Sequence, residues 1–239
     1  MTVSMADLQD ALSATWPPAR QWEQDGWTLR DGGGGGKRVS AATRAAPEAQ
    51  VPVAEAAMRE IGQRPLFQVR DGEDNLDRAL ADRGYEIVDP TVCYACPIDR
   101  LTDRPIPRVT AFAIWEPLAI MEEIWAAGGI GPGRLAVMSR AAIKTGILAR
   151  WNEKPAGVAF AAVHKDVCMV HAVEILAHQR RQGVAQWIMR KAAFWGAEQG
   201  ATTLALVTTR ANAAANALYG ASLGMQAVGQ YHYRQKSGE

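Results

Sequence analysis

The chain has 239 residues, 26 Lys and Arg against 25 Asp and Glu, and 48% hydrophobic residues. That is enough apolar side chain for one large domain or two small ones, and it excludes wholesale disorder. A net charge of +1 argues against a dedicated nucleic-acid binder with a basic face, and three cysteines are too few for a disulfide scaffold.

Cys93 and Cys96 form a lone C-x-x-C pair with no second Cys or His pair at zinc spacing, so no metal is expected. No apolar run approaches the roughly 18–20 residues that cross a bilayer, and residues 1–10 lack the basic start and apolar stretch of a secretory signal. These features predict a cytoplasmic protein with no membrane or nucleic-acid partner.

In chain order, residues 5–16 place Leu8 and Leu12 at helical spacing and stop before Pro17-Pro18. Residues 26–30 and 37–41 read as two strands around the glycine run 32–36. That run is not a Walker loop: Arg38 follows Lys37 where Ser or Thr would hold Mg²⁺, and Asp31 occupies the first Gly position. A flexible hairpin tip is the simpler reading. Residues 52–63 predict a helix, 66–70 a strand, 75–83 a helix closed by Gly84, and 85–88 and 92–97 two further strands. Residues 99–107 are charged, proline-bearing and aperiodic, which marks a linker between a domain over 1–98 and a domain over 108–239.

Beyond the linker, 114–125 and 134–143 predict helices separated by the turn-rich stretch 128–133. Apolar runs at 146–151, 157–163 and 167–177 have the spacing of an antiparallel meander. A helix over 184–199, a strand over 203–207, a helix over 212–222 and a strand over 225–233 complete the chain. Residues 80–88 align with 220–228 as helix end, Gly stop and strand start, which suggests two related halves.

The chemistry is concentrated where the strand at 173–175 runs through a short loop into the helix beginning at Val184. Arg180-x-x-Gly183-x-Ala185 leaves little side chain at that helix start. The first N–H groups of a helix lack internal partners and carry partial positive charge. Small residues there admit a pyrophosphate to the backbone, with Arg180 and Arg181 adding charge at the rim.

Downstream, Asn212, Ala215, Leu218, Tyr219 and Gly224 complete a second signature. Together the two motifs resemble the GCN5-related N-acetyltransferase (GNAT) family over about residues 144–234. Two departures are that Gly224 falls one place late and Met225 stands where Phe is usual. The resemblance implies an α/β (α+β) fold: a mixed, splayed, mostly antiparallel sheet flanked by helices, with a second N-terminal α/β domain. It also implies acetyl-CoA as co-substrate, and direct attack by a small-molecule or peptide amine with no covalent intermediate. By that resemblance Gln182, Gly183, Val184, Ala185 and Gln186 cradle the pyrophosphate. Val173 and Ile175 pair with the pantetheine arm, and Asn212 and Asn216 lie at the cofactor or cap the helix.

Tyr219 is the expected general acid, since a phenol keeps its proton at pH 7. For the base, His171 and Glu174 both stand open beside a water-mediated route; strand alternation sends the two to opposite faces unless a bulge intervenes. The first half has Ala79 where Tyr219 would be and no phosphate loop, so it reads as a degenerate copy that packs on the second half and shapes the acceptor site. Trp16, Trp22 and Trp27 either line that site or fill core. Glu116, Glu122 and Glu123 either attract a cationic amine or form a solvated face. A non-catalytic acyl-CoA sensor, a nucleotide binder, and a monomer or homodimer all remain open.

Overall fold

A computed structural model of the protein describes residues 3–237. Helix α1 (Met5–Thr15) starts where Ser4 accepts a hydrogen bond from the Asp7 amide, the usual role of a serine cap. Strands β1 (Arg20–Gln24) and β2 (Trp27–Asp31) form a hairpin over Asp25 and Gly26, both at positive φ, and β3 (Thr43–Arg44) adds to β2. Then come α2 (Val51–Glu60), β4 (Leu66–Arg70), α3 (Asp74–Ala81), β5 (Glu86–Pro97), β6 (Ala111–Ile114), α4 (Ala119–Ala127) and α5 (Pro132–Arg140). The meander β7 (Ile143–Trp151), β8 (Lys154–His164) and β9 (Val167–Ile175) leads through the loop to α6 (Val184–Glu198) and β10 (Thr203–Thr209). The short α7 (Ala213–Asn216) runs into a π-helical turn, Ala217–Ser222, before the closing strand β11 (Gln226–Gln235).

Several local expectations are corrected. Residues 37–41 are not a strand: Lys37–Val39 is a 3₁₀ turn, and β2 takes β1 on one edge and β3 on the other. The strands expected at 85–88 and 92–97 are one strand, β5, with Asp89 at φ 47°. The helix expected from 114 begins at Ala119, past Pro117, leaving Ala111–Ile114 to pair with β7. Ile143 belongs to β7 and not to the preceding helix.

One eight-stranded sheet runs β4-β11-β5-β10-β9-β8-β7-β6, beside the small sheet β1-β2-β3. It is mixed and mostly antiparallel; β9 and β10 are its parallel pair. Helix α6 packs Ile188, Met189, Ala192 and Ala193 against Ile147, Ala159, Ala161, Val170 and Leu204. The alanines on β8 let the helix come close, and a Cβ at Gly196 would lie 2.7 Å from that of Cys168. On the opposite face Met121, Trp125, Val137 and Met138 of α4 and α5 pack on Leu148, Val158 and Phe160. A separate cluster of Trp27, Leu29, Met58, Phe67, Leu80 and Tyr85 binds the first part of the chain together.

The sheet crosses the stretch expected as a linker. Strand β5, from the first half, lies between β10 and β11 of the second. β5 and β11, the strands that begin in the two aligned segments, pair with each other, and each also pairs with a strand of the other half, β5 with β10 and β11 with β4. Among the described residues no helix is long and apolar enough to cross a membrane.

Because β10 takes its second neighbour from residues 86–97, a fragment spanning 108–239 exposes that edge and loses the packing of Tyr94 and Ala95. Expressed alone, it is expected to show no cooperative thermal transition, whereas co-expression with residues 1–107 restores one. Calorimetry on both preparations checks this.

Candidate active site

The site begins where two strands part. β10 runs parallel to β9 only from the Val167–Thr203 pair to the Val170–Leu206 pair, while β9 continues to Ile175 on β8 alone. The far edge of β9 beyond Val170 therefore has no strand beside it. Within this stretch Phe160 faces His171 and Val158 faces Glu174, so β9 spends three steps against two on β8. Ala172, at φ 51°, is the bulged residue, and its carbonyl accepts the Trp125 indole N–H at 2.8 Å.

The bulge reverses the alternation. Cys168 and Val170 belong to the α6 core, and so do Val173 and Ile175. Glu174 therefore turns to the α4 side, the layer His171 also faces. Gly128, at the end of α4, makes the room: a Cβ there would lie 2.5 Å from Glu174 Oε2. Glu174 remains partly exposed, and its Oε1 accepts from Arg180 Nη2 at 3.3 Å.

The loop beyond β9 ends in two left-handed residues, Arg181 at φ 64° and Gly183 at φ 79°. Gly183 precedes the first turn of α6, and its carbonyl accepts from the Gln186 amide at 3.0 Å. The N–H groups of Gln182, Gly183, Val184 and Ala185 come before the first intrahelical bonds and are left to an external acceptor. Arg181, Gln182 and Gly183 are exposed, and no atom lies within 4 Å of a Cβ built at Gly183. Arg180 folds back, its Nε donating to Ile175 O at 3.1 Å. This is an anion-accepting helix start beside an open strand edge.

Tyr219 sits in the π-helical turn, buried against the α6 core, with its ring 6.1 Å from that of Tyr94 on β5. Burial pushes its pKa up to about 12, so the phenol is protonated at neutral pH. Asn212 caps α7 by accepting from the Ala215 amide at 3.1 Å. Asn216 donates to Asn212 O at 2.7 Å and Thr209 O at 3.0 Å and accepts from Tyr94 Oη at 3.1 Å, so its amide is spent on holding the turn.

His171 is buried and fully engaged. Thr15 Oγ1 gives its hydrogen to Ala11 O at 2.6 Å, so at 2.9 Å from His171 Nε2 it accepts the ring N–H. Arg38 Nη1, 3.1 Å from Nδ1, can only donate. The ring is thus the neutral Nε2–H tautomer, and burial together with the Arg38 charge holds its pKa well below 6.5.

Beside it a cleft of about 460 Å³ opens between the halves. Trp16, Gly35, Gly36, Lys37 and Arg38 line it from the first half, and Arg134, Ala172 and the end of β10 from the second. Trp16 lies 5.0 Å from the His171 ring, whereas Trp27 is core and Trp22 lies partly buried beneath Arg20. Sequence reasoning missed the glycine run as a wall of this cleft. The signal was glycines with no room for side chains, not a hairpin: a Cβ at Gly35 would lie 2.4 Å from Val137 Cγ2. Among the described residues no group of three or more His, Cys, Asp or Glu can hold a metal.

Residues 114–225 match the model of the Acetyltransferase (GNAT) family. No curated protein matches the chain. Among solved structures, a GCN5-related N-acetyltransferase from Kribbella flavida is 21% identical over 100% of this chain and 98% of its own, with a TM-score of 0.74. A functionally unknown conserved protein from Staphylococcus epidermidis is 10% identical over 98% of each chain, with a TM-score of 0.71. A tandem GNAT protein from the clavulanic acid biosynthesis pathway is 11% identical over 93% of this chain and 85% of its own, with a TM-score of 0.62. At these identities the likeness is one of fold.

The His171 site sets a pH dependence of stability. Above pH 6.5 the imidazole is neutral folded or unfolded; below it the unfolded chain takes up a proton that the buried ring refuses. Stability is therefore lost as the pH falls through this range, by up to about 1.4 kcal/mol per pH unit. Thermal melts between about pH 7.5 and 5.5 should show a shallower decline for His171→Gln than for the native chain; equal slopes would rule out the neutral buried ring.

Proposed function

With residues 114–225 belonging to the acetyltransferase (GNAT) family, we propose that the protein transfers an acetyl group from acetyl-CoA to a primary amine by direct attack. The observation that carries this reading is the open edge of β9 beyond Val170 placed beside the unpaired amides of the Gly183 turn. In this reading Gln182, Gly183, Val184 and Ala185 bind the diphosphate through main-chain N–H groups, Gln186 closes the turn by giving its amide to Gly183 O, and Arg180 and Arg181 flank the site. Val173 and Ile175 pair with the pantetheine arm as an added strand does, and an N–H of that edge faces the oxygen that gains charge. Asn212 and Asn216 serve the turn that presents Tyr219, as their hydrogen bonds favour.

Tyr219 donates the proton to the departing thiolate, a role supported by its protonated state and its place in the motif turn. For the proton of the amine, access favours Glu174. Its carboxylate is partly exposed on the face the bulge turns it to, while both nitrogens of His171 are occupied. His171 then holds the walls of the cleft together through Thr15 and Arg38.

We also propose that residues 1–98 and 108–239 are two copies of one unit that exchanged their last strands, with 99–107 as the connection. The placement of β5 beside β10 and of β11 beside β4 supports this. The first copy lacks the counterpart of Tyr219 and serves as a wall of the acceptor site.

Thiol release from acetyl-CoA across a panel of amines tests the reaction. Gly183→Val, which forces a branched residue to φ 79°, is expected to weaken CoA binding at least about tenfold by calorimetry. Tyr219→Phe is expected to lower kcat at least about tenfold, and Glu174→Gln about a hundredfold, each with CoA affinity retained. CoA binding without thiol release on any amine would leave the protein an acyl-CoA sensor.

A further inference from the structure

The cleft that faces the splayed strands carries a charge pattern unlike that of a site for a plain amine. Its lining holds three cations, Lys37, Arg38 and Arg134, and one carboxylate, Asp89. Lys37 Nζ donates to Asp89 Oδ2 at 2.7 Å, so the one acid is already paired. What remains is two guanidinium groups with no acidic partner among the described residues. Arg38 rests 5.7 Å over the Trp16 ring, gives one N–H to the neutral His171, hydrogen-bonds the hydroxyls of Tyr231 and Tyr233 on β11, and leaves only its buried Nε without a hydrogen-bond partner. Arg134 is exposed on the first turn of α5.

The glycine run just before Arg38 lies against Arg134 and the start of α5. A Cβ at Gly36 would lie 3.6 Å from Arg134 Nε, and one at Gly133 would lie 2.4 Å from Gly34 O. Any side chain at these positions would narrow the gap beside Arg134 or push the two loops apart. A buried N–H donor without a partner is costly unless a ligand supplies the acceptor, and a planar carboxylate matches guanidinium donors.

Resting on the acetyl-transfer reading above, we propose that the acceptor is an amine that also carries a carboxylate, bound in this cleft by Arg38 and Arg134. The same pattern works against polycationic acceptors, which would meet two arginines without a carboxylate partner and no free acid in the lining. The carboxylate sits between Arg38 of the first half and Arg134 of the second, and the amine points toward Ala172 and the parted ends of β9 and β10.

The experiment compares α-amino acids with their α-amides as acceptors for the full-length protein, with thiol release from acetyl-CoA as readout. The acids are expected to exceed their amides in kcat/KM at least tenfold. Arg134→Ala should erase that preference, chiefly through KM for the acid, leave the amides unchanged and leave CoA affinity within twofold. Arg134→Lys should restore part of it. Because Arg134 is exposed, folding is not at stake. Equal use of acids and amides, or an Arg134→Ala loss shared by both, overturns the proposal. A second arm needs no turnover: saturation-transfer NMR of N-acetylphenylalanine against N-acetylphenylalaninamide. Should no amine be acetylated, the transfer reading fails by itself, and the NMR arm decides the subsite. A signal for the acid that is lost in Arg134→Ala sustains the subsite; equal signals, or none, sink it.

Discussion

A strand edge kept open inside a sheet is the constraint on which this site depends. Main-chain N–H and C=O groups demand partners, and a continuous sheet would supply them. Here β10 leaves β9 after Val170, so the last part of β9 keeps one side free just where the chain turns into α6. The bulge at Ala172 lets this happen without loosening β8, because Trp125 ties its carbonyl to α4. The same bulge decides which side chains of β9 face the α4 layer and which face α6.

The parts of the site that were legible in the sequence are those made by contiguous residues. The Gly183 turn and the turn bearing Tyr219 are local structures, dictated by small residues and caps within a few positions. Most helices and strands were legible for the same reason: their periodicity is written in a single stretch, as in the β7–β8–β9 meander. The extra residue in β9 was not legible, because alternation alone cannot show which of two β8 neighbours a residue will face. Nor was the run 37–41 readable as a 3₁₀ turn, since the strands that flank β2 are β1 upstream and β3 further on, at Thr43–Arg44. The role of the glycine run was hidden for a further reason. Its partners, Gly133 and Val137, are a hundred residues away in the chain.

The polar interior between the halves shows how distant residues settle one another's chemistry. Thr15 spends its hydrogen on a helix carbonyl, which makes it an acceptor; that fixes the tautomer of His171, and Arg38 closes the other nitrogen. A histidine that reads as a candidate base on its strand has, in the fold, both ring nitrogens engaged by side chains of the first half. The carboxylate three residues later keeps its contact with solvent because a glycine ends α4 opposite it.

The interleaving of β5 and β11 has one more consequence, for motion. Two units joined by a tether can swing about it, opening and shutting like a clam. Two units that each contribute a strand to the other's side of one sheet cannot, because any swing would tear a ladder of backbone bonds. The free edge of β9 is thus held in a frame fixed by backbone ladders on both sides of the 99–107 connection, with no hinge between the halves.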